Sequence, residues 1–275
     1  MLFLSVMIVS TPSAMLWREL VDSRTNDYVR RWMRHFPGIR ATCIEQWIQD
    51  LVAASVPTWV HPLSAAERDL LVDEHWRRVT ERPGHEPEEF EAIVEALEKD
   101  ILEAQEVSNV GAAFVRLGSR APLDSPLLLE GSLQVDAGAE ALEVLLQSER
   151  VFDDLCLMQE CGYVPSIVVR PWLDLPPGTE LRAFIRRREL VGLSQRQVDA
   201  VQPELVARAP ELEEAVRRRC AELAPRWPLD DLVADFVIED EAAMLTDLHP
   251  LLDWTDAGLF SWEQPFERYK FRYLH

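Results

Sequence analysis

Apolar and polar residues alternate in two textures along the chain, and the change falls near residue 108. From Met15 to about Gln105 the apolar positions recur at helical spacing. "SAAERDLLVDEHWRRV" opens with Ser64 and has Glu67 three residues later, a capping-box pattern, and it sets Leu70, Leu71 and Trp76 toward one face. "PEEFEAIVEALEKDILEAQ" is more regular: Phe90, Ile93, Val94, Leu97, Ile101 and Leu102 form an apolar stripe, and the opposite face is acidic and reads as solvated surface. Beyond Ser108, short apolar or alternating runs predict strands at "GAAFVRLGS", "SIVVRPWL", "TELRAFIRR", "ELVGLSQR", "DLVADFVIE" and "AAMLTDLH". Helices are predicted over 139–155, "AEALEVLLQSERVFDDL", and over 203–224, "PELVARAPELEEAVRRRCAELA". Several strands follow one another with only turns between them, which points to an α+β fold with a mixed sheet rather than regular βαβ winding. The division expected is a helical N-terminal region, 1–107, followed by a sheet region, 108–275.

Composition narrows the possible partners. A chain of 275 residues, 48% hydrophobic and 28% charged, is an ordinary globular protein with a sizeable core. Its formal charge of −20, from 48 acidic and 28 basic side chains, repels nucleic-acid phosphates and anionic membranes, so neither is an expected partner. Cys43, Cys156, Cys161 and Cys220 form no CxxC pair and read as small buried hydrophobes in a reducing cytoplasm. The opening "MLFLSVMIVSTPSAM" is too short in its apolar run to span a bilayer and lacks the positive flank of a secretory signal. An over-extended start is the reading favoured, with Met7 or Met15 as the true first residue.

The chain has no GxxxxGK[ST] loop, no GxGxxG before a helix, no HExxH and no GxSxG, which removes most weight from nucleophilic-hydrolase and zinc-protease readings. What remains is carboxylates and arginines on strands. If "DLVADFVIEDEAAMLTDLHP" is a hairpin turning at Glu241, Asp235 lies opposite Asp247, and Asp247 and His249 share a face. Two facing carboxylates repel unless they share a proton or a cation, and Mg²⁺ would resolve the conflict while bridging to phosphates. The competing explanation is an acidic decoration of an exposed strand. Arg116, Arg170, Arg182 and Arg196 lie in otherwise apolar strands, where each needs an anion, a carboxylate or a route to solvent. A structural ion pair explains any one of them. Four around a carboxylate hairpin suggest a polyphosphate held between arginines and a metal.

The blocks "FVRLGSRAPLDS", "IVVRPWLDLPPGTELRAFIRRRELVGLSQR", "VADFVIEDEAAMLTDLHP" and "TDAGLFSW" together resemble the cell-division-cycle protein 123 family, a divergent clade of the ATP-grasp fold. The resemblance runs over roughly residues 85 to 262 and keeps the family's order. It implies ATP-grasp-like mixed sheets and a site for ATP with Mg²⁺ or Mn²⁺. Arg116 falls where eukaryotic members usually carry a phosphate-contacting lysine, and Ser119, Arg120 and Asp124 fall in the phosphate-proximal loop. Val169, Arg170 and Trp172 match the hinge strand beside adenine. Glu180 and Arg182 match a Glu-Phe-Arg element in which Leu181 replaces the phenylalanine, with Arg196 alongside. Asp235 and Asp247 match the metal-binding aspartates, and His249 stands where the family commonly has an asparagine ligand. Imidazole suits Mn²⁺ better than Mg²⁺, so His249 is open to three roles: ligand, structural histidine or general base. The resemblance implies an ATP-dependent assembly factor acting on a protein partner. The alternative, from ATP-grasp enzymes at large, is an ADP-forming carboxylate–amine ligase working through an acyl phosphate.

Overall fold

The computed structural model describes residues 14–80, 88–130, 132–239, 241–264, 266 and 269–275. The expected over-extended start lies outside them. The N-terminal region holds α1 (Ala14–Trp32), α2 (Phe36–Ala41), α3 (Ile44–Leu51), α4 (Ala65–Val79) and α5 (Glu89–Val107), and also a strand, β1 (Trp59–Pro62). Then come β2 (Ala113–Leu117), α6 (Leu127–Glu130), β3 (Gln134–Val135), α7 (Gly138–Leu146), α8 (Glu149–Glu160) and β4 (Ser166–Pro171). The remainder is β5 (Glu180–Arg186), β6 (Glu189–Gln195), α9 (Pro203–Leu223), β7 (Leu232–Glu239), β8 (Ala242–Pro250) and β9 (Phe271–Arg272).

Two sheets result. The first, ordered β1-β4-β2-β3, is antiparallel throughout; the second, ordered β8-β7-β5-β6-β9, is antiparallel except for the parallel β6–β9 pair. The α+β class expected from the pattern of strands is the class observed. β1 joins the first sheet against β4, so the helical region contributes a strand that helical periodicity did not announce. β3 and β9 are two residues each, too short to leave an alternation in the sequence.

The Ser64 capping box forms as read: Ser64 Oγ accepts from the Glu67 N–H at 3.1 Å, and Glu67 Oε2 accepts from the Ser64 N–H at 2.6 Å. In α5 the buried stripe is Phe90, Ile93, Leu97, Ile101 and Ala104, while Leu102 lies outside it and is exposed. The helix expected over 139–155 is two helices. Ser148 breaks it: its backbone is extended and its hydroxyl accepts from the Val151 N–H at 3.2 Å, starting α8 afresh. Gly138 begins α7 under the carbonyl of Val94, where a Cβ would come within 2.2 Å of that oxygen.

One core lies between the first sheet and helices α4, α5, α7 and α8, with Val115, Leu117, Ile167 and Val169 facing Ile93, Leu97 and Phe152. A second joins the second sheet to α9 and α3. Leu205, Leu212, Val216 and Leu223 of α9 are fully buried against Leu181, Ala183 and Ala234, each worth about 1.5–3 kcal/mol of transfer free energy. Among the described residues no helix is long and apolar enough to cross a membrane.

Candidate functional site between the two sheets

The β7–β8 hairpin positions the carboxylates, and it does so by a different route from the one its sequence suggests. Its last ladder pair is Glu239 opposite Ala242, and Glu241 turns with φ +66°. Continuing that register would face Asp235 with Thr246 and send Asp247 and His249 to the opposite side of the sheet. A β-bulge between the Asp235 and Phe236 pairs leaves Thr246 as the extra residue, and Asp235 faces Asp247 after all. Thr246 Oγ1 pins the bulge by donating to the Asp235 carbonyl at 3.0 Å. From the first sheet, Arg170 Nη1 donates to the Thr246 carbonyl, joining the sheets at this point.

Both carboxylates are held by arginines. Arg182, on β5 beside β7, grips Asp235 with a two-pronged fork: Nε to Oδ1 and Nη2 to Oδ2, both 2.7 Å. Arg116 Nη1 reaches across from β2 to Asp247 Oδ2 at 2.7 Å. His249 Nε2 lies 3.2 Å from Asp235 Oδ2 and 3.7 Å from Asp247 Oδ2, so the two carboxylates converge on one point, where the imidazole stands. Burial acts to raise the pKa of Asp235, but the Arg182 charge and fork, helped by His249, hold it well below the usual carboxylate range. A third acid completes the group: Asp256 Oδ2 accepts from Arg196 Nη1 at 2.8 Å and lies 3.1 Å from Arg182 Nη1.

Opposite this cluster, the loop after β2 folds over Asp154 of α8. Ser119 Oγ donates to Asp154 Oδ2 at 2.7 Å, Arg120 Nε reaches the same oxygen at 3.1 Å, and Tyr28 Oη donates to Oδ1. Burial, with Asp154 beside it, lifts the Tyr28 phenol far above its ordinary range, so it is a donor and not a phenolate. Where the loop leaves β2, the Glu45 carboxylate packs directly on Gly118, in the space a Cβ would occupy.

A cleft of about 530 Å³ opens between these two groups, in the range of about 300–1,000 Å³ typical of small-molecule sites. Six arginines line it, Arg31, Arg116, Arg120, Arg150, Arg182 and Arg196, against Asp154, Asp247 and Asp256. In a chain of charge −20 this is a local reversal of sign. Trp32 and Trp254, with ring centroids 3.9 Å apart, form one wall. A second cavity, of about 640 Å³ and lined by Asp174, Glu239 and Glu241 with Arg208, carries the opposite balance.

Of the residues singled out by sequence, Arg116, Ser119, Arg120, Arg182, Arg196, Asp247 and His249 line the cleft, and Asp235 lies directly behind the Arg182 fork. The others do not join them. Arg170 is buried behind the cleft with Nε on Thr58 Oγ1 at 3.0 Å and Nη2 without a partner. Val169 is enclosed in the first core, with β1 and β2 on either side of its strand. Trp172 packs edge-on against Phe114. Asp124 accepts from Ser148 Oγ and the Arg150 N–H at 2.5 and 2.9 Å, tying its loop to the start of α8. Glu180 sits exposed at the end of β5, two residues from Arg182. Sequence reasoning missed Tyr28, Arg31 and Trp32 of α1, Arg150 and Asp154 of α8, and Asp256. Only Asp256 carried a usable signal, because it lies in "TDAGLFSW", already set apart as a block.

The donor set suits a cation held partly by protein. Each carboxylate offers about four acceptor sites. Arg182 and His249 take three contacts at Asp235; Arg116 and the Leu248 N–H take two at Asp247. Among the described residues no group of three or more His, Cys, Asp or Glu is arranged as a metal cage. Two carboxylates with the remaining positions left to phosphate and water is the usual way proteins hold Mg²⁺.

Comparison with known proteins gives the lineage. A translation initiation factor eIF2 assembly protein of Xenopus tropicalis is 23% identical over 252 residues, covering 80% of this chain and 75% of that protein. The protein of the same name from Xenopus laevis is 30% identical over 101 residues; the match takes in 36% of this chain and spans only 30% of that relative's length. The structure of Cdc123 from Schizosaccharomyces pombe shares the fold, with a TM-score of 0.68 and 24% identity over 82% of this chain and 90% of that one. This is the family that the four sequence blocks resemble. The D123 family model matches residues 63–270, which take in β2 through β8 and include every strand lining the cleft, and the chain therefore belongs to the D123 family.

Proposed function

We propose that the chain binds ATP together with a divalent cation in the cleft between the sheets and acts on a protein partner as an assembly factor in the cytoplasm. The observation that carries the reading is the convergence of arginines from both sheets on one cleft beside two facing carboxylates. Asp235 and Asp247 would hold the cation, which neutralises phosphate charge when bound. Arg116 and Arg120 from one side and Arg182 and Arg196 from the other supply donors for phosphate oxygens, and Trp32 with Trp254 offers an apolar wall. The assembly role is drawn from the names of the relatives, which are eIF2 assembly proteins. The ligase alternative adds a requirement, a second place in the cleft for an acceptor.

Thermal-shift titration tests the nucleotide reading. ATP at about 100 times its dissociation constant should stabilise the fold by about 2.7 kcal/mol in Mg²⁺ or Mn²⁺ and by less in chelator. No shift in either ion removes the reading.

A further inference from the structure

Four of the cleft arginines have aspartate partners of their own: Arg116 with Asp247, Arg182 with Asp235, Arg196 with Asp256 and Arg120 with Asp154. Arg150 has none. Its guanidinium lines the cleft, half-buried, and makes no hydrogen bond or ion pair among the described residues. Its placement is nonetheless fixed. Arg150 lies in the first turn of α8, two residues after the Ser148 cap, and its backbone N–H is held by Asp124 Oδ2 at 2.9 Å. Asp124 also accepts from Ser148 Oγ, so two hydrogen bonds tie the loop after β2 to the start of α8 where Arg150 sits. A half-buried cation without a contacting carboxylate is an unfavourable arrangement unless an anion takes up its donors. Burial and then the neighbouring Arg120 charge both push the Arg150 pKa down, and the nearby charges of Asp124 and Asp154 only partly oppose them.

We propose that Arg150 is an oxyanion-binding residue at the α8 end of the cleft, donating its guanidinium fork to an anionic oxygen of the cleft's occupant. The inference rests on the cleft being a nucleotide site. The oxygen belongs either to the terminal phosphate of the nucleotide or to a separate anionic ligand seated beside it; the chemistry of recognition is shared, and experiment separates the sources. Arg31, the other cleft arginine without an aspartate partner, is exposed and lies over the Trp32 ring, so Arg150 is the half-buried donor left for a ligand.

The test compares wild type with Arg150→Ala and Arg150→Lys, titrating a non-hydrolysable ATP analogue, ADP, and inorganic phosphate added to the ADP-saturated protein, all with Mg²⁺. The apo melting temperatures should coincide, because the guanidinium has no contact to lose. If the terminal phosphate is the ligand, Arg150→Ala weakens the ATP analogue roughly tenfold or more and ADP by less than about twofold, with Arg150→Lys between, since it keeps the charge and loses the fork. If a separate anion is the ligand, both nucleotides bind all three proteins alike, and phosphate stabilises the ADP-bound wild type but not Arg150→Ala. Either result supports the proposal. Identical responses of wild type and Arg150→Ala to all three ligands overturn it. Should the wild type bind neither nucleotide, the nucleotide reading falls by itself. Phosphate titrated alone then decides Arg150: a response lost in the alanine variant supports it, and an equal or absent response overturns it.

Discussion

Asp235 shows how closely one residue can tie stability to the site. Arg182 is 2% exposed and has both prongs on this carboxylate, so Asp235→Asn leaves a buried guanidinium half-matched. The variant should lose about 3 kcal/mol of folding free energy as well as its metal-dependent nucleotide stabilisation. The sign of the pH dependence follows from the depressed pKa. The folded state holds a proton at Asp235 less readily than the unfolded chain, whose Asp titrates near about 3.9, so this contribution is complete above that pH and is lost as pH falls toward the folded pKa. Urea unfolding at pH 7 and pH 3 should therefore show a steeper acid loss for wild type than for Asp235→Asn; parallel curves would remove Asp235 from the acid response. His249 is the neighbour whose role the geometry sharpens. It bridges both carboxylates through Nε2, with its side chain 26% exposed, which places it where a third ligand or a bystander would stand. His249→Asn restores a hard oxygen and should keep or strengthen Mg²⁺-supported ATP binding while reducing any preference for Mn²⁺. Unchanged affinity ratios in the two ions, at an unchanged melting temperature, would make the histidine a bystander.

At the scale of the element, the hairpin explains what the sequence could and could not disclose. That Asp247 and His249 share a face was legible because alternation fixes which residues of one strand point the same way. The register was not, since one extra residue at Thr246 is invisible in an apolar-polar pattern and was compensated by a turn placed one position away. Ser148 is a similar case: "LLQSERV" fits an uninterrupted helix until its hydroxyl caps a new one. Strands of two residues, and α1 as a wall of the cleft, depend on tertiary packing and leave no periodic trace. The bulge makes a prediction of its own. Thr246→Val keeps the shape but removes the hydroxyl bond to the Asp235 carbonyl, so it should cost about 1 kcal/mol, or about 2 °C in melting temperature. It should also blunt the Mg²⁺-dependent shift with ATP, since the bond helps hold the aspartates in register. Loss of stability with an intact ligand response would mean that Arg170 and the ladder alone secure the pair.

Across the whole molecule two electrostatic scales oppose each other. The chain carries −20, much of it on solvated helix faces such as that of α5, whereas the cleft is lined by more arginines than aspartates. An anionic nucleotide approaching from solvent first meets the repulsion of the whole, which acts over distances that salt screens within about 10 Å at 0.1 M. Inside the cleft it meets partly buried guanidiniums at contact distance, and salt screens those much less. Rising ionic strength should accordingly remove the barrier before it weakens the grip. Stopped-flow measurement of ATP association should give a rate constant that increases between about 10 and 100 mM salt, with dissociation nearly unchanged, the reverse of the behaviour of a basic binding surface. An association rate that falls steeply and monotonically over this range would show that the positive field of the cleft reaches beyond its mouth and governs the encounter; the acidic exterior would then face away from the path of entry, leaving Arg31, exposed at the rim, as the first charge a nucleotide meets.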